Sequence, residues 1–116
     1  MMVTSLIMAM ALNMAAMKAD PQDDARKALN NCLVKEHNDA VEAKKSGSDF
    51  NEQVAAACVD TRKAYFDLIV RAEMGFKSKK ADAEQYANEE IQSVVDSITS
   101  QFGDNVSTGA KLQPEK

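Results

Sequence analysis

The sequence predicts an all-α protein, a small up-down-up bundle of three helices. Three observations carry this. Along three separate stretches the apolar residues recur at steps of three and four, the spacing of one helix face. Strand formers are scarce: aromatic residues make up 5% of the chain, Trp is absent, and only two Pro occur. Gly47, Gly75 and Gly103 sit between the periodic stretches, where a helix ends most readily. The glycines are evenly spaced, but the segments between them do not align, so they mark similar helix lengths and not a repeat.

The central stretch organises the rest. Phe50, Val54, Cys58, Thr61, Tyr65, Leu68 and Ala72 form one face, and Ala55, Val59, Phe66 and Val70 form an adjoining one. Together they sweep roughly 200° of a helical wheel, which asks for two packing neighbours. Asp49 with Glu52 reads as a capping box, with Ser48 competing as cap, so the predicted helix runs over 49–74 and stops at Gly75. Should Val59, Phe66 and Val70 lie exposed instead, that face is a partner or oligomer surface.

The first helix is predicted over 21–45. Asp20 is its cap and Pro21 its first residue, with Asp23 and Asp24 at the positive end of the helix dipole. Its stripe is Ala25, Ala28, Leu29, Cys32, Leu33, Ala40 and Ala43, and Ser46-Gly47 closes it. The third helix is predicted over 80–102, with a seam of Ala83, Ala87, Ile91, Val94, Ile98 and Phe102, and Val95 beside it. So narrow a stripe asks for one neighbour, and Gly103 ends it. Residues 104–116 show no periodicity and are expected to be mobile.

Residues Met1 to Met17 contain no charged side chain and hold six of the seven methionines. Leu6 to Leu12 has the length of a signal-peptide core, and small residues follow at Ala15, Ala16 and Ala19. The expectation is a cleavable signal peptide over 1–19, a bundle over 20–103 and a tail beyond. Two features depart from that pattern: no basic residue precedes the apolar run, and Met17 would occupy the −3 position of a cut after Ala19. The competing readings are an uncleaved membrane anchor, short of the ~20 apolar residues of a spanning helix, and a buried fourth helix.

Cys32 and Cys58 lie on core-facing stripes of consecutive helices. In an oxidising compartment such a pair reads as a disulfide, which for a small exported domain contributes about 3–4 kcal/mol. Two regular helices would leave an offset along the axis of about 6 Å between them, which conflicts with a bridge whose Cα atoms must lie within ~7 Å in all. Either the first helix ends early, near Val41, or the loop is lopsided.

Motifs with chemistry are few. Glu36 falls inside the first apolar stripe, and its expected state is a packed stem with the carboxylate in water. His37 is the single histidine; it has no ligand partner at helical spacing and is expected to be partly exposed. A metal carrier or enzyme would have to use Glu36 and His37, and no HExxH, CxxC or CxxCH pattern accompanies them. No cofactor is implied. Lys77, Lys79 and Lys80 form the one concentrated basic patch, read as a solvated loop with an anionic partner as its functional alternative. Asn105-Val106-Ser107 has the form of a glycosylation acceptor. A net charge of −4 argues against nucleic-acid binding. What the sequence leaves is an exported protein, periplasmic or secreted, that acts by binding a protein partner and has no enzymatic role. It contacts a membrane only if residues 1–17 are retained, and it leaves room for an oligomer.

Overall fold

A computed structural model describes residues 20–116. All regular structure among them is helical: α1 (Pro21–Glu42), α2 (Gly47–Ala56), α3 (Val59–Gly75) and α4 (Lys80–Asn105). Three helices were expected and four are found, because the central helix is broken in two. Ala57 is extended (φ −88°, ψ 158°) and Cys58 is left-handed (φ 63°, ψ 36°), so α2 stops and α3 restarts in a new direction. Nothing local asks for this break. Residues Ala55–Ala57 are good helix formers, and neither Gly nor Pro is present.

The limbs still alternate in direction. The first residues of α1 lie against the last turns of α3, where Asp20, Pro21 and Gln22 share a shallow groove with Leu68, Arg71 and Ala72. The C-terminal halves of α1 and α4 meet at His37 and Asn105. Thus α1 and α4 run one way, with α2 and α3 together forming the returning limb. The core is Leu29, Leu33, Val41, Phe50, Val54, Tyr65, Ile69, Ala87, Ile98, Phe102 and their neighbours. Ile69 belongs to neither apolar set of the central stretch, yet it lies midway between them on the wheel and is fully buried.

Helix ends differ from expectation in instructive ways. Asp20 caps α1 as anticipated, accepting from the backbone N–H of Gln22 (3.0 Å) and Asp23 (3.3 Å). Helix α1 ends at Glu42, close to the early end that a disulfide requires. The cap of α2 is Ser46, whose hydroxyl accepts from Asp49 N–H at 3.1 Å, and neither Ser48 nor Asp49 takes that role. The left-handed residues that terminate α1 and α3 are Lys44 (φ 55°) and Lys77 (φ 69°), not glycines. Both ends carry the paired backbone bonds of a Schellman turn: Lys44 to Val41 and Lys45 to Ala40, Lys77 to Met74 and Ser78 to Glu73. Gly103 does not stop α4, which continues to Asn105.

Helix α4 packs on α1, α2 and α3, although its stripe reads as a seam for one neighbour. Two things add neighbours: the break divides the returning limb into α2 and α3, and α1 also packs directly on α4, so the helices close into a bundle in which each limb meets the other two. Alanine at positions 83 and 87 lets backbones approach closely there, and both are buried.

The last residues are not free. Leu112 is half-buried against the core. Asn38 donates from Nδ2 to Leu112 O and accepts at Oδ1 from Leu112 N, both at 2.9 Å. Asn31 repeats the pattern with Glu115, at 3.0 and 2.7 Å. Arg26 then grips the Glu115 carboxylate with both terminal nitrogens, at 3.0 and 2.9 Å. The strap runs antiparallel to α1, and its register has a simple geometric basis. Seven residues of α-helix rise about 10.5 Å, and three residues of extended chain span about 10 Å.

Candidate functional site

The disulfide sits where α1 meets the break. Cys32 and Cys58 are bonded, with Cα atoms 6.1 Å apart. Cys58 is the residue before α3, and because its sulfur is committed to the bridge it offers no cap to that helix. Other groups secure the junction. Thr61 Oγ1 donates to Cys58 O at 3.0 Å. The Arg62 guanidinium folds back and donates to Ala57 O at 3.1 Å and to Val54 O, meeting the exposed carbonyls that end α2.

His37 lies far from the partly exposed state expected of it. It is fully buried, edge-on to Phe50 and Phe102, with ring centroids 6.3 and 6.0 Å away. Its environment fixes the tautomer. Leu112 sets the orientation of the Asn38 amide, so Asn38 Oδ1 faces the ring, and His37 Nδ1 must carry the proton that spans 2.8 Å to it. Nε2 is then the acceptor, and Asn105 Nδ2 donates to it at 3.3 Å. The histidine thereby links α1, the end of α4 and the strap. A sequence signal for this existed in hindsight: His37 follows Leu33 by four residues and precedes Val41 by four, on the same buried stripe.

Glu36 points elsewhere. It is half-buried, its carboxylate accepts from Gln53 Nε2 of α2, and Lys45 Nζ donates to the other end of that amide at 2.7 Å. Glu36 and His37 are therefore not brought together. Among the described residues no group of three or more His, Cys, Asp or Glu is placed to hold a metal ion. The glycosylation pattern also meets a structural obstacle. Asn105 Nδ2, the atom a glycan would occupy, is the one that donates to His37.

The second face of the central stretch divides. Phe66 and Val70 pack against the core and are half-buried, as two neighbours require. Val59 is 63% exposed. With Phe66 and Ile91 it forms the apolar floor of an open groove between α3 and α4, rimmed by Arg62, Lys63, Asp67 and Asn88. Lys63 and Asp67 are paired at 2.9 Å along that rim. Lys77 and Lys79 are exposed in the turn between α3 and α4, and Lys80 begins α4. No described helix is long and apolar enough to cross a membrane. The segment read as a signal peptide lies outside the described residues.

Fold and sites together define a small disulfide-stapled helical bundle whose described residues leave Val59, Met74, Phe76 and Tyr86 as exposed large apolar side chains. Compared with protein families, curated proteins and solved structures, the chain matches none.

Proposed function

We propose that this is an exported protein that acts by binding another protein, and that the Val59–Phe66–Ile91 groove is its contact face. The observation that carries the reading is the exposure of Val59 beside a half-buried Phe66, with charged residues on the rim and an apolar floor. Interfaces of moderate size have this arrangement of apolar centre and polar border. Export rests on the apolar N-terminal stretch and on the disulfide, since structural disulfides persist in oxidising compartments.

The test is a photo-crosslinking side chain placed at Val59 in the native host, compared with one at Gln85 on the polar face of α4. A discrete adduct from position 59 and none from position 85 is expected. Equal or absent labelling at both positions removes the groove from consideration. Mass spectrometry of the natural N-terminus separates the two settings. A chain beginning near Asp20 fits export with cleavage, and retention of residues 1–17 makes the protein a membrane-anchored subunit.

A further inference from the structure

We propose that the turn between α3 and α4 is a docking tip for an anionic phospholipid surface, with Phe76 entering the headgroup region and Lys77, Lys79 and Lys80 meeting the lipid phosphates. This is separate from the protein-binding groove and does not rest on it.

The tip is built to present Phe76, not merely to tolerate it. Phe76 is 81% exposed, the most exposed of the large apolar side chains among the described residues, and Met74 nearby is 47% exposed. Leaving a Phe uncovered forfeits burial that a small bundle would otherwise use. The backbone beneath it is held firmly. Phe76 N–H donates to Ala72 O and Glu73 O, Lys77 N–H to Met74 O and Ser78 N–H to Glu73 O, all within 3.0–3.2 Å. Lys77 is left-handed here, a conformation glycine would adopt without strain.

The charges point the same way. Lys77 suits the negative end of α3. Lys79 and Lys80 do not suit the positive end of α4, where acidic residues are favoured. Lys79 occupies the cap position and makes no side-chain cap. None of the three lysines is in an ion pair within the described residues, although Glu73 and Asp82 are near in sequence. Lys79 and Lys80 thus sit where the α4 dipole disfavours them, and none of the three is neutralised by an ion pair among the described residues, so an anion outside the bundle is the natural complement.

An acidic protein would satisfy the lysines, and would seat the projecting ring only if it offered a pocket of matching shape. An anionic lipid interface accommodates both: rings settle at headgroup level and each lysine near the surface strengthens attraction. The tip also lies at the end of the bundle where α1 begins, since Asp20 and Pro21 face Leu68, Arg71 and Ala72 of α3.

The chain has no Trp, so Phe76→Trp places one reporter at the tip of the otherwise intact full chain. Val59→Trp, at the opposite end of α3 and also exposed, is the comparison. With phosphatidylglycerol vesicles the position-76 emission should shift to shorter wavelength and be quenched by brominated acyl chains, while position 59 stays unchanged. Vesicles of phosphatidylcholine alone should give no shift. Replacing each lysine by Gln should weaken the response about fivefold, on the ordinary worth of a lysine near an anionic surface. Dependence on lipid charge and on the three lysines separates this response from membrane attachment through residues 1–17 alone. No response at position 76, an equal response at position 59, or a response indifferent to lipid charge or to the three lysines would each overturn the proposal. The first of these results leaves the lysines to an acidic protein.

Discussion

Asn38 holds the backbone of Leu112 by two opposed hydrogen bonds, both 2.9 Å, and so converts the end of the chain into a strap on α1. The same Asn38 oxygen faces His37 Nδ1, so one amide ties the strap to the buried ring.

Asn38→Ala removes three partners at once. Partly buried groups left without partners cost about 1–3 kcal/mol, so a loss of that size is expected in chemical denaturation. Hydrogen exchange should quicken at Leu112 and Glu115 together. Asn31→Ala should release Glu115 while leaving Leu112 protected. Unchanged exchange in both variants would show that packing of Leu112 alone holds the strap.

His37→Phe keeps an aromatic ring against Phe50 and Phe102 but leaves Asn38 Oδ1 one donor short and Asn105 Nδ2 without its acceptor. We expect destabilisation of about 1–3 kcal/mol. A surface histidine would give a change within about 0.5 kcal/mol, so equilibrium unfolding distinguishes the two directly.

The disulfide closes a segment with a sequence separation of 26 and should contribute about 3–4 kcal/mol by restricting the unfolded chain. For a domain near this size each kcal/mol moves the thermal midpoint by about 4–8 °C. Reductant, or the Cys32→Ala, Cys58→Ala variant, should therefore lower the midpoint by about 12–32 °C. Two free thiols in the native protein, with a midpoint insensitive to reductant, would contradict the bonded state.

The break at Ala57–Cys58 is expected to depend on the bridge, since Cys58 is both the left-handed residue and a disulfide partner. A left-handed non-glycine residue costs about 1–2 kcal/mol, and the surrounding alanines favour helix. In a Cys32→Ser, Cys58→Ser variant that also carries Arg62→Gln, both the bridge and the cap on α2 are gone. Carbon chemical shifts of Ala57 and Ser at position 58 should then move to helical values. Persistence of the extended and left-handed shifts would assign the break to packing alone.

Arg26 beside Glu115 holds that carboxyl below its usual range, chiefly through their hydrogen bond, with burial opposing it. The folded-state pKa is depressed, so this contribution is present above the unfolded value near 4.3 and fades as pH falls through the folded one. The pair is about one-third exposed on each side, so its contribution is screened to at most about 1 kcal/mol. Wild type and Glu115→Gln should differ in stability at neutral pH and converge in acid, when followed by denaturation at a series of pH values.

The sequence alone determined the helical class, the cap at Asp20, the buried seam of α4 and the pairing of Cys32 with Cys58. Each depends on local periodicity, on a side chain meeting its own backbone, or on a simple count of two cysteines. Tertiary structure decided the rest. The central periodicity runs through the break without interruption, because residues 55–60 carry no Gly, Pro or other local stop signal. Val34 and Val41 join the buried set and Ala28 and Ala43 do not, since α1 is covered by the strap as well as by helices. Residues 111–115 have no pattern of their own; they are ordered by Asn31, Asn38 and Arg26, more than 70 positions away. His37 likewise takes its buried place from an amide of α4 and an amide oriented by the strap. Such long-range partners leave no periodic trace, because a hydrogen bond between distant segments constrains one atom of each and says nothing of the residues around them.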